Sequence, residues 1–259
     1  MKLHLPVRLF RAVIALIAVS KPALTHAVEV PSSYTTLYVT STSEVTDKYQ
    51  EPADYAFLLQ NDLTFSAATE ANSSAASRFF TSAYSEIFSL TFTSNSDLYV
   101  KNGETLTLAG LHTVTFSFGY SERFSSTESN HKGHLGGAIY ASGTANVSFV
   151  ENVNVFFTEN YSGNVLSSFG GAIYCHSGRV LFEGNGNVVF SENVSKNSSN
   201  LKDSCYGGAI YNYSGDISFS SNLSVSFSLN YSSAGASSNY CSYGGAICGN
   251  IGNRNVLSL

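Results

Sequence analysis

The tetrapeptide Gly-Gly-Ala-Ile occurs four times in this chain: Gly136-Gly137-Ala138-Ile139, Gly170-Gly171-Ala172-Ile173, Gly207-Gly208-Ala209-Ile210 and Gly244-Gly245-Ala246-Ile247. The copies start 34, 37 and 37 residues apart. Between consecutive copies lie two Phe-x-x-Asn tetrads, with their phenylalanines eight residues apart. The pairs are Phe149/Asn152 with Phe157/Asn160, Phe182/Asn185 with Phe190/Asn193, and Phe219/Asn222 with Phe227/Asn230. Self-similarity at a period of roughly 20–50 residues marks a repeat architecture, in which each unit buries its apolar face by stacking on its neighbours.

Two residues before each of these phenylalanines stands a β-branched residue: Val147, Val155, Val180, Val188, Ile217 and Val225. Alternate residues of a strand share a face, so Val-x-Phe places two apolar side chains on one side. Asn follows shortly after, often with Gly or Ser; Asn tolerates left-handed backbone and bonds locally. Each tetrad therefore reads as the end of a short strand and the corner after it. The Gly-Gly pair suits a positive φ angle or a close approach of coils. After residue 130 no apolar stripe has helical spacing. The expectation is an all-β fold, a right-handed parallel β-helix, with Phe149, Phe182 and Phe219 in one inward stack and Phe157, Phe190 and Phe227 in another. Whether one repeat makes one long coil or two short ones is open at this point.

With these two motifs alternating in order, the chain resembles the polymorphic outer membrane proteins of chlamydiae. The resemblance is dense over residues 136–248 and extends to Phe92-Thr93-Ser94-Asn95 upstream. It implies an autotransporter passenger: a signal peptide, a β-solenoid, and a C-terminal β-barrel in the outer membrane. It also implies a non-enzymatic surface adhesin that engages an unknown host-cell receptor, with other family members as further surface partners. The motifs themselves have two readings. Phe fills the core while Gly and Asn shape the corners, or the motif residues contribute directly to adhesion.

The beginning of the chain agrees with export. Lys2, Arg8 and Arg11 precede the apolar run Ala12–Val19, and Thr25-His26-Ala27 offers small residues for cleavage after Ala27. The run is too short to span a bilayer, and no other apolar run would cross one as a helix. Removing residues 1–27 takes away four cations (Lys2, Arg8, Arg11, Lys21) and no acid, so the net charge goes from −5 to −9. That sign, without basic clusters, argues against nucleic acid as a partner. Charged residues are only 12% of the chain, and Ser, Thr and Asn replace them at the surface.

Four parts are expected: a signal peptide at 1–27, an N-terminal cap at 28–88, degenerate solenoid at 89–135, and regular repeats at 136–259. Within the cap region, Leu58–Phe65 and Arg78–Phe92 carry enough apolar residues for strands. The polar insertions Ser195–Ser204 and Ser232–Ser242 are expected as loops on one side, and as the first choice for contact with a receptor. Only residues 248–259 follow the fourth tetrapeptide, too few for a barrel of about ten-residue strands. The expectation is a fragment or truncated copy cut mid-repeat.

Candidate chemistry is sparse, and no catalytic residue, cofactor or metal site is expected. Cys175, Cys205, Cys241 and Cys248 lie near the Gly-Gly pairs, and export would permit disulfides between coils. Four cysteines allow three pairings, and sequence does not choose among them. Cys205 and Cys241 each sit shortly before a Gly-Gly pair and would occupy equivalent places. His131, His134 and His176 read as solvated histidines, since no carboxylate cluster accompanies them. Glu151, Glu159 and Glu192 lie inside the tetrads, at positions pointing outward from a strand. A carbohydrate-active β-helix enzyme, the alternative to the adhesin, would keep acids together on successive coils. The third repeat has Ser220, Ser221, Ser228 and Leu229 instead.

Overall fold

A computed structural model describes residues 28–66, 69–70, 76–83, 87–93, 98–121, 133–163, 167–197, 204–234, 242–249 and 255–257. They form a parallel β-solenoid whose coils pass through five sheets. The first sheet has eight strands, in the order Thr35–Val39, Tyr55–Leu59, Arg78–Ser82, Thr105–Ala109, Asn146–Val150, Val180–Glu183, Ile217–Ser220 and Asn255–Leu257. The second has six: Leu63–Phe65, Leu90–Thr93, Thr113–Ser117, Asn154–Thr158, Asn187–Ser191 and Ser224–Ser228. The third has four: Tyr120–Ser121, Tyr161–Ser162, Val194–Lys196 and Tyr231–Ser233. So does the fourth: Gly133–Leu135, Ser167–Phe169, Cys205–Tyr206 and Ser242–Tyr243. The fifth runs Thr69–Glu70, Leu98–Val100, Ile139–Ala141, Ile173–Cys175, Ile210–Asn212 and Ile247–Gly249.

One repeat is one coil. In the first sheet Phe149 pairs with Phe182 and Phe182 with Phe219; in the second, Phe157 pairs with Phe190 and Phe190 with Phe227. The two tetrads of a repeat therefore lie on adjacent sheets of the same coil. Rings within each column stack nearly parallel, at 4.7 and 4.8 Å between centroids in the first and the same distances in the second. The columns meet edge to face, Phe149 with Phe157 at 5.5 Å and Phe182 with Phe190 at 5.6 Å. Both geometries are favourable for aromatic quadrupoles. The second column continues upstream through Phe116, Phe92 and Phe65. Removing one such ring costs about 3–5 kcal/mol.

The ladders start at Thr35, well upstream of the visible repeats. Over this end lies a helix, Thr42–Tyr49, which the apolar pattern did not announce. Its entry is marked by Ser41 and Glu44, whose Oε2 accepts from the amides of Thr40 and Ser41 at 2.6 and 3.1 Å. That is the acidic half of a capping box. Val45 and Tyr49 enter the core beneath, where Tyr49 meets Phe57 and Phe80.

Arg78 was not anticipated as a core residue. Its register column reads Tyr55, Arg78, Leu106, Val147, Val180, Ile217. The guanidinium, 2% exposed, donates to the carbonyls of Tyr49, Glu51 and Ala53, at and just past the helix C-terminus. Those orphan carbonyls need donors, and a cation there also faces the negative end of the helix dipole.

Candidate functional site

The repeat motifs decide which atoms of each coil reach solvent. In each tetrad the left-handed residue is the one before the Asn. Glu151, Glu159, Glu192, Ser221 and Leu229 have φ between +52° and +56°, and Gly184 takes the same place at +65°. The expectation that Asn supplies the left-handed backbone is thus corrected. The glutamates are exposed corner residues, and their amides continue the ladder: Glu159 donates to Ser191 O and Glu192 to Ser228 O.

The Asn side chains turn inward and bond to one another. Asn185 Oδ1 accepts from both the backbone N and Nδ2 of Asn152 at 3.0 Å. Asn185 Nδ2 donates to Phe149 O and to Asn222 Oδ1, each at 2.9 Å. Asn160, Asn193 and Asn230 repeat this on the next corner. The amide of Asn185 or Asn193 thus uses both lone pairs and both hydrogens while buried, which is what makes a buried polar group tolerable.

The two glycines of each pair do different work. Gly136, Gly170, Gly207 and Gly244 have φ from +58° to +62°. At the second glycine a Cβ would lie 2.2 Å from Gly171 O at Gly137, and 2.0 Å from Gly208 O at Gly171. The coils touch there through bare backbone. In the first three copies the motif residues are buried; the fourth copy and Phe227 with Asn230 are more open. The motif residues of complete coils therefore hold coils together through buried side chains and bare backbone.

A second apolar cluster lies outside the fifth sheet. Tyr140, Tyr174 and Tyr211, each directly after Ala-Ile, face the fourth-sheet residues Leu135, Phe169 and Tyr206 that precede each Gly-Gly. Phe169 and Tyr206 stack at 5.1 Å, and Tyr206 lies 5.3 Å from Tyr211. The pattern (Leu/Phe/Tyr)-Gly-Gly-Ala-Ile-Tyr was there to be read. Burial pushes the Tyr211 hydroxyl up from its ordinary value.

Both insertions begin in strands and the second also ends in one, which corrects their reading as loops throughout. Ser195 is fully buried, in register with Ser162 and Ser232, and Lys196 beside it is exposed. Residues 198–203 and 235–241 lie outside the described residues, as do Asn95, His131 and the whole segment 1–27. His134 is placed in the fourth sheet, and His176 Nδ1 lies 2.7 Å from Ser177 Oγ.

Cys205 and Cys248 are free thiols, both pushed up by burial. Cys205 lies opposite Ser242 on the next coil, so the expected equivalence with Cys241 fails; Cys241 itself is outside the described residues. Cys248 lies opposite Tyr211, and Cys175 opposite Asn212. Among the described residues no three His, Cys, Asp or Glu side chains come together as a metal site. No described helix is long and apolar enough to cross a membrane.

These coils define a class, a parallel β-solenoid built on asparagine and phenylalanine ladders with a Gly-Gly contact in each regular turn. The family model of the Chlamydia polymorphic membrane protein repeat matches residues 154–176 and 187–213. Each stretch runs from a second-sheet strand through Gly-Gly-Ala-Ile in consecutive coils, and the chain carries polymorphic membrane protein repeats. That family implies an outer-membrane or surface location. No curated protein and no solved structure matches the chain.

Proposed function

We propose that this chain belongs to the exposed passenger of a polymorphic membrane protein and binds a host-cell surface molecule without transforming it. The observation that carries this reading is the family repeat on two consecutive coils. The buried motifs give the coils a fixed register, and the solvent-facing residues of each coil then recur at regular intervals along one axis, as solenoid binding surfaces do. In this reading residues 1–27 direct export and are removed after Ala27, which intact-mass measurement of the secreted protein checks.

Beads coated with the protein and offered to epithelial cells test the binding itself. Saturable attachment, competed by soluble protein and absent from albumin-coated beads, is expected. Attachment equal to that of albumin beads would discard the reading, and release of sugars from the cells would replace it with an enzymatic one.

A further inference from the structure

The outward faces of the solenoid are not equivalent. Toward the N-terminus the first sheet is overlaid by residues 28–34, with Val28, Val30 and Tyr34 packed on Ala56, Phe79 and Ala109. The fifth sheet is covered by the fourth-sheet aromatics. The second sheet has no such cover among the described residues, and none of its outward side chains is charged.

Its centre repeats one arrangement on two consecutive coils. Asn154, Phe156 and Thr158 stand opposite Asn187, Val189 and Ser191. Phe156 and Val189 form an apolar platform that is partly exposed. On one side the amides are already aligned, Asn187 Nδ2 donating to Asn154 Oδ1 at 2.9 Å. On the other, the hydroxyls of Thr158 and Ser191 make no hydrogen bond among the described residues. At both corners stand carboxylates: Glu151 before the sheet, and Glu159 and Glu192 after it.

From this juxtaposition we infer that the outward face of the second sheet binds a neutral glycan chain lying along the solenoid axis. A sugar ring offers an apolar C–H face and a rim of hydroxyls. An apolar platform flanked by amides on one side and hydroxyls on the other matches both. The two coils repeat the set at the strand spacing of about 4.8 Å, close to the advance of one sugar in an extended chain. The charge pattern selects against the alternatives. Carboxylate rims and the lack of any cation on the face disfavour sulfated glycans and nucleic acid. The face also lacks the Trp, Tyr and Arg anchors that dominate protein interfaces.

The inference names the partner class for the adhesin reading and rests on it, so the two are tested apart. The whole protein is titrated with the hexamer of β-1,4-linked N-acetylglucosamine, the hexamer of β-1,4-linked glucose, and dextran sulfate. Binding of at least one neutral hexamer is expected, weakened about tenfold in Phe156→Ala and in Val189→Glu. Leu181→Ala, on the outward face of the first sheet, should bind as the parent does. Circular dichroism melting identifies folded variants, and both face variants alter outward side chains.

Failure of both hexamers to bind, tighter binding of dextran sulfate, or equal binding by Phe156→Ala overturns the proposal. So does sedimentation showing that Val189→Glu abolishes self-association, because the face would then meet a second copy. Cell attachment that persists while neither hexamer binds would leave the adhesin standing and remove the glycan. Absent attachment with hexamer binding would do the reverse.

Discussion

The N-terminal coils and the regular array build the same inward columns and close their corners differently. In the array each corner is sealed by an asparagine ladder whose amides satisfy one another and the coil before. Upstream, the corresponding corner positions are Ala83 and Leu111, both fully buried and unable to take part. The ladders begin where Asn152 and Asn160 accept the backbone amides of Leu111 and Gly119. In place of a ladder, the upstream end has a helix held by Arg78. At the first corner, apolar columns and backbone ladders therefore align the upstream coils without an asparagine. The asparagines add a way to repeat the corner indefinitely, while a buried cation is a solution that can be used once.

Substitutions can break this contrast. The largest effect is expected for Gly171→Ala, which drives a Cβ into Gly208 O and separates two coils. A loss above about 3 kcal/mol in chemical denaturation would follow, and a small change would mean the coils are looser than described. Next is Arg78→Leu, which installs the residue type that pairs with it in the next coil. Despite that match, the helix-end carbonyls lose their donor, at about 1–3 kcal/mol for each buried group. Hydrogen exchange should show early opening of the helix and leave the array protected.

Asn185→Ala is smaller. It orphans the Asn152 amide and Phe149 O, at about 1–3 kcal/mol for each group. If thermal melting matched the parent, the ladder would be decoration on the phenylalanine stack. The pH response comes next. Burial raises the Tyr49 and Tyr211 hydroxyls and the Cys205 thiol, so the fold favours their protonated forms. Their contribution is intact below the ordinary thiol and tyrosine values of about 8.5 and 10 and is lost as pH rises through and beyond them. Melting temperature should be flat near neutrality and fall in alkali. The smallest effect is Glu192→Gly, which relieves a left-handed backbone as Gly184 already does on the neighbouring corner. A gain of up to about 1 kcal/mol is expected.

The sequence was most legible where one chemistry recurs at a fixed interval. Val-x-Phe and the Gly-Gly pairs led directly to the inward columns and the coil contacts, because period-two alternation and bare backbone have few other uses. The left-handed corner was assigned one residue too late. Asn is the residue type that tolerates such backbone most readily, and only the geometry shows that its side chain was needed elsewhere. Before residue 89 the coils were read as a cap, because inward positions there hold Tyr55 and Arg78, which share shape requirements without sharing a motif. The outer tyrosine cluster was visible as an aromatic on each side of Gly-Gly-Ala-Ile in the second and third copies. It passed unnoticed because strand alternation accounts for one buried face and not for two.

The distance from the second corner to the next Gly-Gly is 17 residues after Gly119, 10 after Asn160, and 14 after Asn193 and Asn230. Every ladder keeps its register across these changes. From one corner to the other, by contrast, the interval is eight residues in the coil of Leu111 and Gly119 and in the three coils of the array. The coil thus separates a conserved chassis from a length-tolerant arc between the third and fourth sheets. Such a chain can rewrite one flank of its exterior, copy by copy, without renegotiating the energetics that keep it folded.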